Sequence, residues 1–196
     1  SNPARHWAQD LQGHISKDQW ERAIVTTKKL IKSEVLLEQY RKTLYRWYMV
    51  PIRLHKLYPG SPPECWRCGK GEGTVLHIWW QCELVTSFWR NIHCLIRAAT
   101  GTKLPSTPIT SLLLHMPSNI PKGIQKLAFH ILLTAQRAIA RLWKSQRPPL
   151  VAEVCRDIDT QHLYETCYRG VLPLTDTAVE AWRLWEMRGT GDTPDG

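Results

Sequence analysis

The sequence predicts a mainly α-helical protein, and three observations carry that expectation. Apolar residues recur three and four apart in successive stretches. No long alternating apolar–polar run marks a half-buried strand. One short stretch, 65–82, sets four residues of metal-ligand type at the spacing Cys-x2-Cys-x8-His-x4-Cys. The expected architecture is a helical domain stapled by that knuckle and followed by a C-terminal helical segment. In chain order this is a helical lead-in with a basic, aromatic stretch at 1–58, the knuckle and a packing helix at 59–100, a linker at 101–121, C-terminal helices at 122–187 and a disordered tail at 188–196.

Residues 1–15 read as a loose lead-in. Ser16 with Gln19 forms a capping-box pair that opens a helix to about Ile31, with Trp20, Ala23, Ile24, Leu30 and Ile31 on its apolar face. A second helix is expected from about Glu34 to Tyr48 on Leu36, Leu37, Tyr40, Leu44 and Trp47, with Pro51 ending or kinking it. From Arg41 to Lys56 the chain carries Arg41, Lys42, Arg46, Arg53 and Lys56 and no acid, interleaved with Tyr40, Tyr45, Trp47 and Tyr48, and Tyr58 follows. Cations neutralise phosphates and aromatic rings stack on unpaired bases, so this mixture suits single-stranded nucleic acid. The plain alternative is an amphipathic helix with a solvated basic face and its aromatics in the core.

Pro59, Gly60, Pro62 and Pro63 deliver the chain stiffly into the knuckle. Cys65, Cys68, His77 and Cys82 offer three thiolates and one imidazole, a donor set suited to tetrahedral Zn2+. Gly69 follows the first pair of ligands, where a metal-binding turn calls for a residue at ease with positive φ. His77 is expected on the first turn of a short helix, with Cys82 just beyond it. All four positions are filled by the chain, which is the pattern of a structural rather than a catalytic zinc. The alternatives are a pair of disulfides or free buried cysteines. Trp66, Trp79 and Trp80 lie beside the ligands, either to cover the metal or to stack on bases. Arg67 and Lys70, within the knuckle, join the candidate nucleic-acid contacts.

Residues 84–100 read as a helix facing inward with Leu84, Phe88, Trp89, Ile92, Leu95 and Ile96, carrying His93 and Cys94 as ordinary helix residues. Gly101 to Pro121, rich in Pro, Ser and Thr, is the candidate interdomain connection. Lys122 to Lys144 is the cleanest helical pattern. At about 100° per residue its apolar residues fall on one face, and Lys122, Lys126, His130, Arg137, Arg141 and Lys144 fall on another. That stripe is a track for a phosphate backbone, through Lys126, Arg137, Arg141 and Lys144, or the solvated face of a bundle helix, with an amphipathic membrane-surface helix as the third and weakest reading. A further helix is expected from Val151 to about Tyr168, with Cys155 and Cys167 as small buried residues. A last helix, Thr177 to Met187, is capped by Thr175 or Asp176.

The 196 residues carry a net charge of +9 and ten tryptophans, which favours a folded chain with a polyanionic partner, nucleic acid first and an anionic membrane second; of these, the expected partner is RNA, with DNA as a possibility, and no membrane. No apolar run reaches the length of a membrane span, and the polar first residues do not read as a signal peptide. With the cysteine usage this points to a reducing, intracellular compartment. A chain starting at Ser1 is expected to be a piece of a longer polypeptide. There is no phosphate-binding Gly-Lys-Ser/Thr loop, no dinucleotide fingerprint, no Gly-x-Ser-x-Gly and no paired carboxylates for two Mg2+, so no catalytic constellation is read.

The residues around the knuckle carry a specific likeness. Val50-Pro51-Ile52-Arg53-Leu54, Cys65-Trp66-Arg67-Cys68-Gly69, Gly73-Thr74-Val75-Leu76-His77-Ile78-Trp79-Trp80-Gln81-Cys82 and Phe88-Trp89-Arg90 resemble the C-terminal region of a LINE-type non-LTR retrotransposon reverse transcriptase. The likeness covers about Tyr40 to Ile96; His162-Leu163-Tyr164-Glu165 and Trp182 resemble the end of the same polyprotein more weakly. The resemblance implies a non-catalytic, zinc-stapled RNA-binding part of that polyprotein, which supports target-primed reverse transcription alongside its polymerase and endonuclease. It implies a nuclear location and a cytoplasmic ribonucleoprotein. Zinc ligands carry over by position; RNA contacts do not, since no motif fixes them. The rival reading is a zinc-stabilised module docking on the polymerase core or a host factor.

Overall fold

The computed structural model describes residues 2–168 and 173–190. The chain is mainly helical, and among the described residues no strand forms beyond a single antiparallel bridge between Glu64 and Glu72. The helices are α1 (Pro3–Asp10), α2 (Lys17–Leu30), α3 (Glu34–Leu44), α4 (Pro51–Leu57), α5 (Glu83–Thr100), α6 (Pro108–Ser111), α7 (Lys122–Arg141), α8 (Val151–Leu163) and α9 (Asp176–Met187). Two five-residue π-turns, His77–Gln81 and Tyr164–Tyr168, lead into α5 and follow α8. No helix among the described residues is long and apolar enough to cross a membrane.

Local sequence explains most of these boundaries. Ser16 Oγ accepts from the Gln19 amide at 3.1 Å and Gln19 Oε1 accepts from the Ser16 amide at 3.0 Å, the reciprocal pair that opens α2. Thr175 Oγ1 caps α9 through the Ala178 amide at 3.2 Å. Gly101, at φ 69°, closes α5 as its amide donates to Arg97.

The lead-in, expected to be loose, is helical: Asn2 caps α1 through the Ala4 amide and Pro3 takes the first helical position. Trp7, fully buried, holds α1 down by donating from Nε1 to the Leu44 carbonyl at 3.0 Å. The helix expected to reach Tyr48 stops at Leu44. Trp47 N–H donates to Lys42 and Arg46 N–H to Thr43, a Schellman closure in which Arg46 takes the left-handed position at φ 53°. A non-glycine residue there is offset by its ion pair to Asp10, its stacking 5.3 Å over Trp7 and the Arg53 guanidinium donating to its carbonyl. Pro51 starts a helix instead of ending one, at the N1 position where its missing N–H costs nothing.

One contiguous set of buried side chains runs from Trp7 to Trp185. The stretches 1–58, 59–100 and 122–187 all contribute to it. Segment 101–121, expected as a linker, threads Leu104 and Leu112–Leu114 into the same core. Tyr40 Oη donates to the Leu113 carbonyl at 2.9 Å, and Gln136 Nε2 to that of Ser111 at 2.8 Å. At its centre lies α7, packed by α2, α3, α5, α8 and α9 and buried continuously from Gln125 to Gln136. Arg188–Thr190 forms a 3-10 turn in which Arg188 lies 3.4 Å over the Trp185 ring and pairs with Asp159. The rest of the expected tail, 191–196, falls outside the described residues. Leu84 and Cys167, both expected inside, are exposed, and Cys155 is half-buried.

Candidate metal centre

The knuckle is a loop folded back on itself and closed by the start of α5. The Gly69 amide donates to the Cys65 carbonyl at 2.8 Å and the Cys65 amide to Gly71 at 3.1 Å. Gly69 and Gly71 sit at φ 64° and 62°, and this left-handed pair reverses the chain between Cys68 and the bridge at Glu72. Farther along, Thr74 Oγ1 accepts from the His77 amide at 3.0 Å and starts the π-turn; the Cys82 amide closes it by donating to His77 at 2.8 Å. Cys82 is also the N-cap of α5, so the Val85 and Thr86 amides both donate to its carbonyl. The positive end of that helix therefore sits at a ligand set that is negative once its thiols ionise.

These constraints bring Cys65, Cys68, His77 and Cys82 together, their ligand atoms all within 4.8 Å of one another. Cys68 Sγ and His77 Nε2 are 3.4 Å apart. A tetrahedral site with a metal–sulfur distance of about 2.3 Å and a metal–nitrogen distance of about 2.0–2.1 Å matches such separations. The four residues are thus placed to hold a metal ion. Burial, with the Arg67 charge second, pushes the His77 pKa down and favours the neutral imidazole that metals bind. Burial pushes the Cys65 thiol up to about 11, with Cys82 adding to the rise and backbone amides opposing it. A thiolate there needs a cation beside it.

The centre is joined to the core on three sides. Gly73 lies against the Pro51 ring, and a Cβ at that position would stand 2.5 Å from Pro51 Cγ. Arg67, between the first two cysteines, is 4% exposed and donates to the Ile78 carbonyl at 3.0 Å and to Leu142, at the end of α7, at 3.3 Å. Trp89 Nε1 donates to the Trp79 carbonyl at 2.6 Å. Trp79 itself, 1% exposed, packs on Tyr48 at 4.3 Å and on Trp143, which in turn meets Trp66 edge-on.

This arrangement corrects part of the expected nucleic-acid surface. Arg67 and Trp79 are interior residues that tie the knuckle down, so neither is available to a strand. Lys126, expected on a solvated stripe, is 4% exposed: it donates to the Leu30 carbonyl at 2.9 Å and lies 3.4 Å from Glu165. His130, on the same expected stripe, is buried between Gln161 and Glu165. The stripe fails because α9 packs on that face of α7, with Trp182 against His130, and Glu165 from the second π-turn reaches both Lys126 and His130. Arg53 is half-buried on the Arg46 and Tyr48 carbonyls. Lys70 pairs with Glu83 at 2.9 Å, Lys42 with Glu38 at 2.7 Å, Arg141 with Asp157 at 2.7 Å and Arg41 loosely with Glu34 at 3.9 Å. Lys144 lies over the Trp66 and Trp143 rings. Arg137 is half-buried.

The aromatic stretch divides. Tyr40 is buried and Tyr48 half-buried, whereas Trp47, Tyr45 and Tyr58 are 72%, 66% and 64% exposed. Sequence reasoning missed Trp143 and Glu165; the buried Lys126 has no local sequence signal, since its carboxylate partner comes from the far π-turn. No protein-family model matches the chain.

Proposed function

We propose that this chain is a zinc-stapled module that binds single-stranded RNA without strong sequence readout, as the non-catalytic C-terminal part of a retrotransposon reverse transcriptase. Three thiols and an imidazole gathered at one point suit zinc above harder divalent ions, and a site filled by four protein ligands suits a structural role. One observation carries the RNA reading. The loop between α3 and α4 and the end of α4 hold the rings of Tyr45, Trp47 and Tyr58 in solvent, with the exposed Arg41 and Lys56 on the flanking helices. Large rings left outside a well-filled core, with cations close in the chain, form a stacking surface for unpaired bases. The resemblance of residues 40–96 supplies the parent protein; the loop supplies the chemistry.

Replacing Trp47 by Ala is expected to weaken binding of a single-stranded RNA dodecamer about tenfold, a loss of ~1–3 kcal/mol for one stacked base, without changing the melting temperature. Fluorescence anisotropy with thermal denaturation checks both. Unchanged affinity would sink the loop as the RNA surface. Met49 and Leu57, exposed beside the same rings, favour the second reading, a docking surface for a protein such as the polymerase core; it predicts that Trp47→Ala leaves RNA binding intact and weakens capture of the polymerase domain.

A further inference from the structure

A cleft of about 590 Å3 lies between the first turn of α3, one side of α7, and α8 with its π-turn. Its size is that of a small-ligand pocket. Val35, Leu36 and the rim residue Tyr164 give it apolar walls, and Thr160 and Gln161 add polar groups.

Charge on its lining is unevenly committed. Three acids face it, and each has a base of its own: Asp157 holds Arg141, Glu34 reaches Arg41 outside the cleft, and Glu165 holds Lys126 behind it. Lys32 and Arg137 are then the surplus cations. Among the described residues Lys32 makes only a long contact to the Lys28 carbonyl at 3.5 Å. Arg137 makes no hydrogen bond or ion pair among the described residues, and Asp157 acts on it only through space. Its half-buried guanidinium is pressed by desolvation first and by the Arg141 charge second. A planar donor fork held at a cleft wall under those conditions is completed by an oxyanion, and a phosphate matches it in two bonds.

We infer that this cleft takes one nucleotide unit, its phosphate on Arg137 and Lys32 and its base against the apolar wall that ends at Tyr164. A bare carboxylate or phosphate would leave most of the volume and the apolar wall empty. The assignment stands on the cleft and Arg137 and does not depend on the loop at Trp47.

Equilibrium dialysis of the whole chain against adenosine 5′-monophosphate, uridine 5′-monophosphate and inorganic phosphate tests it. Saturable one-to-one binding of a mononucleotide is expected, tighter than inorganic phosphate, and weakened at least about tenfold in Arg137→Met, which keeps the aliphatic stem but removes the fork. Lys32→Ala, on an exposed position, should weaken it less and serves if Arg137→Met disturbs the fold. A dodecamer that displaces the mononucleotide identifies it as one unit of the strand; independent binding of both identifies a free nucleotide. Absence of saturable mononucleotide binding, or equal binding by wild type and both variants, overturns the proposal. Loss of RNA binding in Trp47→Ala with mononucleotide binding intact would separate this site from the loop.

Discussion

Cys82→Ser is expected to abolish stoichiometric metal binding and to cost the fold more than any other single change. Cys82 is at once one of the four residues placed to hold a metal, the closing residue of the His77–Gln81 turn and the N-cap of α5. It is fully buried, and the turn it closes carries Ile78 and Trp79 into the core. Losing the metal therefore frees the chain between α4 and α5 and the Arg67 tie to the end of α7. Binding and folding are one process in such sites, where the apparent contribution of a structural zinc is on the order of 10 kcal/mol; the core shared with α7 would retain part of that. The measurement is metal content by mass spectrometry alongside thermal melting and the near-ultraviolet signal of the tryptophans. Cys94→Ser, at an exposed cysteine, is the control and should change neither. Wild-type metal content and melting in Cys82→Ser would remove Cys82 from the ligand set.

The second large effect lies at the other end of the molecule. Glu165 accepts from Trp182 Nε1 at 2.9 Å, pairs with Lys126 at 3.4 Å and faces His130 Nε2 at 3.6 Å, all within the core around α7. Glu165→Ala takes one carboxylate away from the buried Lys126 ammonium and strips an acceptor from a buried indole. Breaking such a pair costs about 3–5 kcal/mol, which at about 2–4 °C per kcal/mol is a fall of roughly 10 °C in Tm. The double variant Glu165→Ala with Lys126→Met should recover part of that loss, because the charge left behind is the main penalty.

The same network makes stability fall in acid. Burial first, and the Lys126 charge second, push His130 down to about 4 from an ordinary 6.5. Burial alone would raise Glu165, but His130, Lys126 and Trp182 together hold it below its ordinary 4.5. Both groups bind protons less readily in the folded chain than in the unfolded one, so stability rises with pH wherever the unfolded chain is the more protonated. The His130 contribution is present in full above about pH 6.5 and is lost as the pH falls toward 4; the Glu165 contribution is lost below about 4.5. Melts from pH 8 to pH 4 should show this decline, and Glu165→Ala should flatten its lowest part. A Tm constant over that range would contradict the assignment.

What was legible in the sequence was local. Ser16 and Gln19 announce the start of α2 because both halves of the capping box lie within one turn. The four ligand-type residues announce the knuckle because their spacing is itself the constraint, and Gly69 marks the turn between them. Residues 1–15 read as a loose lead-in because what holds α1 down, the Trp7 indole on the Leu44 carbonyl, is a contact between distant stretches of the chain. Failures came where a distant element decides the outcome. Periodicity sorts the faces of α7 but cannot say that α9 and the second π-turn will cover its basic stripe, so Lys126 and His130 read as surface residues. Segment 101–121 reads as a linker by its Pro, Ser and Thr, whereas its short apolar run Leu112–Leu114 finds its partners only in the assembled core. Between Arg41 and Tyr58 the alternation of cations and rings was visible, but which rings face water was set by the left-handed turn at Arg46, a position where glycine is the usual signal.

The most direct test of the central claim is the affinity of the purified, metal-loaded chain for a single-stranded RNA dodecamer across a salt series. With about two phosphates neutralised by Arg41 and Lys56 around the loop, log Kobs should fall against log salt with a slope of about −1.4, and stacking on Trp47 and its neighbours should leave measurable affinity at high salt that Trp47→Ala removes. A chain that fails to bind the strand at low salt, or binds it with no dependence on salt or on Trp47, would contradict the account.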